Sequence, residues 1–158
     1  MANRSNIVEI GSYHGRSTCC LALGCKGSER RVFAIDSFDG GPDLPKAESF
    51  ARFRSNIERL QLAEYVQPIV GLSTEVAKTW GKPIHFLFVD GSHLYDDVMA
   101  DFASFFPHVA PGGLVAFHDV DKSFPGVLKA WQETFEVKLV HTGRCATLGY
   151  GTKPKDAL

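Results

Sequence analysis

The sequence predicts an α/β protein: a mainly parallel seven-stranded sheet with helices on both faces and a C-terminal antiparallel strand pair. Three observations predict it. Short apolar runs alternate with longer amphipathic stretches along the chain, the order expected of strands joined by helices. The apolar runs are continuous rather than alternating, which indicates strands buried on both sides. The last two runs lie close together around Gly143 and read as a closing antiparallel pair.

The elements follow in order. Ile7 to Ile10 is a buried strand ended by Gly11. Ser17 to Cys25 is a helix, with Ser17 or Thr18 near its cap and Gly27 beyond its end. Arg31 to Ile35 is the second strand, followed by a glycine- and proline-rich loop from Ser37 to Pro45. Lys46 to Leu60 carries Phe50, Phe53, Ile57 and Leu60 at helical spacing and is otherwise a charged, solvated helix. Val66 to Val70 is the third strand, Thr74 to Trp80 a short helix, and Ile84 to Val89 the most apolar strand. Val98 to Phe106 is helical. The Pro111-Gly112-Gly113 turn leads into a fifth strand from Gly113 to Phe117, and Val127 to Phe135 is a further helix. Val137 to Val140 and Ala146 to Tyr150 close the sheet. Trp80 and Trp131 fall at helical positions and read as packing or interface residues.

With 158 residues, the chain fits one domain, residues 1–158, able to bury a core without disulfides or metals. A net charge of −1 gives no general attraction for nucleic acid or anionic lipid. Cys19, Cys20, Cys25 and Cys145 match neither a secreted disulfide framework nor a zinc site and read as reduced core thiols. No signal-like segment precedes the first strand and no apolar run is long enough to span a membrane, so a cytoplasmic location is expected.

Two segments carry chemistry. Glu9-Ile10-Gly11-Ser12-Tyr13-His14-Gly15-Arg16-Ser17-Thr18 sets a strand, a glycine turn and a helix start in sequence. Gly11 permits a tight turn and Gly15 a close backbone approach by a ligand. The helix start offers unpaired N–H groups, and Ser17 and Thr18 offer hydroxyls. Further on, Ala34-Ile35-Asp36-Ser37-Phe38-Asp39 places Asp36 at the end of the second strand. A carboxylate there can accept both hydroxyls of a ribose. The competing reading is a loop or helix cap by Asp36. The turn from Gly11 to Gly15 lacks the G-x-G-x-x-G spacing of a pyrophosphate-binding loop.

Glu9-Ile10-Gly11-x-x-x-Gly15-x-Ser17 resembles the first motif of class I S-adenosylmethionine-dependent methyltransferases, the Rossmann-like methyltransferase fold. Phe88-Val89-Asp90-Gly91-Ser92-His93-x-Tyr95 and Pro111-Gly112-Gly113-x-x-x-Phe117-His118-Asp119 are similar to the branch holding catechol-type and macrocin-type small-molecule O-methyltransferases. The resemblance covers nearly the whole chain. It implies a cofactor-binding set of Glu9, Gly11, Ser12, Tyr13, Gly15, Ser17, Thr18, Asp36, Ser37, Gly71, Leu72, Ser73 and Asp90. Gly11 and Gly15 would line the methionine part, with Glu9 bracing the loop through backbone N–H groups. Asp36 would hold the ribose, Gly71-Leu72-Ser73 would flank the adenine, and Asp90 would face the sulfonium. Asp90 and Asp119 end neighbouring strands in such folds, about 4.8 Å apart. Two carboxylates that close need a cation, a shared proton or donors. A Mg- or Mn-type site of Asp90, Asp119 and His118, with Asp121 as the other candidate third ligand, is therefore expected beside a metal-free pair. His118 stands where relatives carry an acid, and imidazole suits Mn, Fe or Zn better than Mg. Asp90, His93 and His118 are the candidate catalytic residues, the histidines as general bases for a hydroxyl acceptor.

Relatives usually carry helices ahead of the first strand that cover the cofactor; only Met1 to Asn6 precede it in this sequence, and a lost lid is one expectation. The Phe38–Pro45 loop with the following helix, or a second subunit in a homodimer, is the expected cover. A non-catalytic adenosylmethionine- or nucleotide-binding module and an NAD-dependent oxidoreductase are the alternative functions. The expected partner is a small-molecule acceptor, not nucleic acid or membrane.

Overall fold

The computed structural model describes residues 5–39 and 46–155. Among them, seven strands form one sheet in the order β3-β2-β1-β4-β5-β7-β6. They are β1 Asn6–Ile10, β2 Arg31–Asp36, β3 Val66–Val70, β4 Ile84–Val89, β5 Val109–Phe117, β6 Val140–Cys145 and β7 Leu148–Thr152. Strands β1 to β5 pair in parallel, and β7 runs antiparallel to both β5 and β6. The order reverses between β1 and β4, which opens a crevice at their carboxyl ends.

Side-chain alternation sends β1, β2 and β3 into two cores. On β2, Val32 and Ala34 join Cys19, Ala22, Phe53 and Ile57 from α1 (Arg16–Leu23) and α2 (Lys46–Arg59). Phe33 and Ile35 face the opposite side, with Ala77 of α3 (Ser73–Ala77), Val98 and Phe102 of α4 (Tyr95–Phe105), and Val127 of α5 (Pro125–Ala130). Helices thus cover both faces, as the continuous apolar strands require. The second core is aromatic at its centre. Phe117 stacks on Phe135 at 3.9 Å and lies edge-on to Trp131 at 6.1 Å.

Several boundaries differ from the sequence reading, each for a local reason. Helix α1 starts at Arg16 with left-handed Gly15 as its cap, so Ser17 and Thr18 lie inside the first turn. It ends at Leu23, where the Gly24 N–H bonds back to Cys20 and Ala22. Helix α4 begins three residues earlier than expected, at Tyr95. Pro111-Gly112-Gly113 is no turn. Strand β5 runs through it as a bulge, because Gly112 takes φ +77° and still donates to the Lys153 carbonyl at 2.9 Å. The helix after β5 continues from α5 through a π-helical segment, Trp131–Phe135, to Glu136–Lys138. Val137 therefore lies on a helix and is 77% exposed rather than in a strand. The closing hairpin shifts accordingly: Gly143 pairs with Tyr150 inside β6, and the turn falls at left-handed Ala146. Gly149 and Gly151 are needed there, since a Cβ would meet the Trp131 ring at 2.7 Å and Leu139 at 2.8 Å.

All four cysteines are free, but only Cys19 and Cys25 are buried; Cys20 and Cys145 are exposed. No helix among the described residues is long and apolar enough to cross a membrane. Phe38 turns into the α1–α2 core, 4.8 Å from Phe50 and 5.1 Å from Phe53, and so does not cover the crevice. The rest of the expected covering loop, residues 40–45, lies outside the described residues.

Phe117 is fully buried, and its ring is shared by three packed aromatics, Phe102, Trp131 and Phe135. Phe117→Ala is expected to lower unfolding free energy by about 3–5 kcal/mol in denaturant titration. A loss below ~1 kcal/mol would show that the aromatic cluster is not the centre of this core.

Candidate active site

The site forms where β1, β2 and β4 end. Gly11 carries the chain out of β1 at φ +86° and donates to the Ile35 carbonyl at 2.9 Å. A Cβ on Gly11 would fall 2.1 Å from the Asp90 carbonyl oxygen. The approach of β4 alone requires glycine there. Gly15 is likewise left-handed, at φ +82°, and a Cβ there would press on Phe53 at 3.0 Å. That space is taken by the packing of α2.

Two carboxylates hold this loop. Glu9 is fully buried. It accepts hydrogen bonds from the hydroxyls of Ser12, at 2.8 Å, and Thr18. It thus braces the loop through side-chain hydroxyls instead of the expected backbone N–H groups. Burial raises its pKa against the pull of the Ser17, Thr18 and Ser12 hydroxyls, and its Oε1 has no aligned hydrogen bond. Asp36 ends β2 and accepts from three backbone N–H groups: Ser12 at 2.8 Å, Tyr13 at 2.7 Å and Phe38 at 2.6 Å. The capping geometry weighed for Asp36 is thus realised in the structure. Tyr13 takes the left-handed conformation, φ +44°, in making its bond.

A second cluster sits across the crevice. Asp90 follows β4 and is tied to β1 by its N–H on the Ile10 carbonyl, 2.8 Å. His118 follows β5 and donates its N–H to the Val89 carbonyl at 3.0 Å. Asp119 then turns at φ +59°, a strained conformation for a non-glycine residue. The result brings His118 Nδ1 to 2.9 Å from Asp119 Oδ1 and 3.4 Å from Asp90 Oδ1. Ligand-type atoms of these three residues all lie within 4.8 Å of one another. His93 Nε2 lies 2.8 Å from the other Asp119 oxygen, its ring packed on Phe124 at 4.2 Å. Asp121 stays outside the cluster and caps a turn by accepting from the Ser123 N–H at 2.6 Å. Burial pushes the Asp90 carboxyl up to about 6; Asp119 and Glu9 add to this and His118 opposes it.

Both clusters open on one cleft of about 1520 Å³, larger than the roughly 300–1,000 Å³ of an ordinary small-molecule pocket. Of the residues singled out from sequence, Gly11, Ser12, Tyr13, Ser17, Asp36, Ser37, Gly71, Leu72, Ser73, Asp90, His93, His118 and Asp119 line it. Glu9, Gly15 and Thr18 do not line it and act from behind the loop. Sequence reasoning missed Arg16, Asp97 and Asp101, which also line the cleft. For Asp101 a signal existed: it is a carboxylate on the apolar stripe Val98, Phe102 and Phe105 of α4.

A profile of the family described as "Methyltransferase domain" matches residues 8–120. The uncharacterized protein y4gI of Sinorhizobium fredii strain NBRC 101917 / NGR234 is 28% identical over 144 residues, 84% of this chain and 15% of that protein. Demethylmacrocin O-methyltransferase of Streptomyces fradiae is 42% identical over 50 residues, 32% of this chain and 12% of that protein. The chain thus spans less than a sixth of the length of these curated relatives. Among solved structures, the O-methyltransferase NovP superposes with a TM-score of 0.75 at 20% identity, over 95% of this chain and 72% of that one. An rRNA methylase from Streptococcus thermophilus gives 0.69 at 15% identity, over 96% and 88%. MycE methyltransferase from the mycinamycin biosynthetic pathway, in complex with Mg and SAH, gives 0.62 at 19% identity, over 98% and 47%. These structures share their fold with the chain.

A carboxyl whose folded-state pKa exceeds its unfolded value stabilises the fold only while protonated, so its contribution is lost as pH rises through about 6. In EDTA, Asp90→Asn is expected to stabilise the protein by about 1–3 kcal/mol at pH 7.5 and to give little gain near pH 4.5. Denaturant unfolding at the two pH values reads this. An equal effect at both would contradict the charge account.

Proposed function

The chain belongs to the methyltransferase-domain family, and on that footing we propose that it binds S-adenosylmethionine in the acid-lined cleft and methylates a hydroxyl of a small molecule. The observation that carries this reading is the charge of the cleft. Asp36, Asp90, Asp97, Asp101 and Asp119 line it, against Arg16 as the one Lys or Arg among the described lining residues. Such a field favours a ligand that is cationic at its centre and repels a pyrophosphate or a nucleic-acid backbone. An NAD-dependent oxidoreductase fits this surface poorly.

When bound, S-adenosylmethionine supplies a methyl group on a positively charged sulfur, and a divalent cation supplies a lowered pKa for an acceptor hydroxyl. The loop Gly11 to Tyr13 is held open toward the cleft by Glu9 and Asp36. An ionised carboxylate has about four lone-pair directions, and Asp36 commits three to backbone N–H groups. One ribose hydroxyl fits the remaining direction; a second would have to displace one of these N–H groups. His118 Nδ1 is buried between two carboxylates, 2.9 Å from Asp119 and 3.4 Å from Asp90, with no aligned hydrogen bond to either. That donor set fits a divalent cation held by Asp90, His118 and Asp119, and the imidazole favours Mn²⁺ over Mg²⁺. His93 is the general base of this reading. With Nε2–H donated to Asp119, its Nδ1 lone pair takes the acceptor proton.

The test is transfer of labelled methyl from S-adenosylmethionine to a panel of hydroxylated small molecules and to an RNA fragment, with Mn²⁺, Mg²⁺ or EDTA. Label is expected on a hydroxylated small molecule, with activity lost in EDTA and restored best by Mn²⁺. His93→Ala is expected to lower kcat about 10²–10⁴-fold. Label on the RNA alone would overturn the acceptor class, and full activity in EDTA would overturn the cation site.

A further inference from the structure

We infer that Phe124 is a positioning residue for the reaction: its ring fixes the plane of the His93 imidazole and so aims Nδ1 at the acceptor hydroxyl. The inference rests on the role of His93 proposed above and deepens it. Among the described residues the His93 side chain has one hydrogen bond, from Nε2 to Asp119, and it is 48% exposed. A single bond sets where Nε2 lies but leaves the ring free to turn about that contact. A general base must meet its proton at hydrogen-bond distance, so the ring plane has to be held as well. Phe124 supplies that constraint. The two rings lie 4.2 Å apart, inclined at 32°. Phe124 is fixed in turn, because it packs against the core that contains Val127 and Trp131. His93 lines the cleft and Phe124 does not. Phe124 therefore touches the imidazole from outside the cleft and acts on a ligand only through it.

Both contacts on the imidazole come from one loop, between β5 and α5. Backbone bonds tie its parts together: the Asp121 N–H donates to the Asp119 carbonyl at 2.8 Å, and the Phe124 N–H donates to the Asp121 carbonyl at 3.2 Å. The closing hairpin anchors the loop from the other side. The Val120 N–H donates to the Thr147 carbonyl at 2.8 Å, and the Arg144 guanidinium donates to the Val120 carbonyl. Past Phe124, α5 starts directly against the His93 backbone. A Cβ on Gly126 would fall 2.4 Å from the His93 carbonyl oxygen and 2.7 Å from the Tyr95 nitrogen. One segment thus grips His93 at its ring edge, its ring face and its main chain. Small displacements of a reacting group cost large factors in rate, which gives this threefold grip a use that burial alone does not.

The test is a double-mutant cycle on the whole chain, read by methyl transfer from S-adenosylmethionine to a hydroxylated small molecule that wild type accepts. Phe124→Leu is expected to lower kcat by about 3- to 10-fold, the range of one aromatic pair, with the acceptor KM and the Kd of S-adenosylmethionine within about twofold of wild type. In a His93→Ala background the same change should leave kcat within about twofold. Phe124→Tyr keeps the ring and should keep wild-type kcat. If Phe124→Leu fails to fold, Phe124→Met carries the same expectations. An equal loss in both backgrounds would make Phe124 a packing residue and overturn the inference. An unchanged kcat in the first background, or a loss in KM alone, would overturn it too. Full activity of His93→Ala would remove the general base, and the inference with it, while leaving the methyltransferase reading intact. No transfer by wild type to any hydroxyl would instead remove that reading itself, and the inference would fall with it.

Discussion

The site depends on the contact between Gly11 and the Asp90 carbonyl. Strands β1 and β4 are adjacent at the reversal of strand order, and both chains must leave the sheet there at once. Only a residue without Cβ can pass, because any side chain at Gly11 would begin 2.1 Å from the Asp90 oxygen. The left-handed φ of Gly11 then directs Ser12 and Tyr13 toward Asp36 at the end of β2. The same crossing sets Asp90 at the mouth of the cleft, facing His118 and Asp119 from β5. One steric constraint thus positions both clusters.

Electrostatics oppose this arrangement. Glu9, Asp36, Asp90, Asp101 and Asp119 converge with little cationic compensation. Asp36 is satisfied by three backbone N–H groups, and Asp119 shares its oxygens between His93 and His118. Glu9, Asp90 and Asp101 are left with raised pKa values. A fold selected for stability alone would not concentrate such groups. Asp36, Asp90, Asp101 and Asp119 open on one cleft, which supports the proposed cationic ligand.

Much of the architecture was legible in the sequence because it rests on local rules. Continuous apolar runs marked five parallel strands, and Gly11 and Asp36 marked the crevice. The misplaced elements depended on tertiary context. The closing hairpin slipped because Gly143 reads as a turn, whereas it is the space taken by the Tyr150 ring that calls for glycine there, with a Cβ meeting its hydroxyl at 2.6 Å. The Pro111-Gly112-Gly113 bulge is held in the sheet by Lys153, more than forty residues away in sequence, whose side chain donates to the carbonyls of Phe106, Pro107 and Val109. In the site, motif spacing brought out the loop and the Asp90–His118–Asp119 cluster. It could not separate Gly15, which packs on Phe53, from a ligand-facing glycine. Nor did it reveal Asp101, whose helical position alone looks like core.

The central claim is that the acid-lined cleft takes a sulfonium nucleoside in preference to a dinucleotide. Calorimetry of the chain against S-adenosylmethionine and NAD⁺, at pH 7.5 with and without added salt, tests it most directly. The account predicts saturable binding of S-adenosylmethionine that weakens as salt screens the carboxylates, and no binding of NAD⁺. Binding of NAD⁺ with S-adenosylmethionine excluded would contradict it.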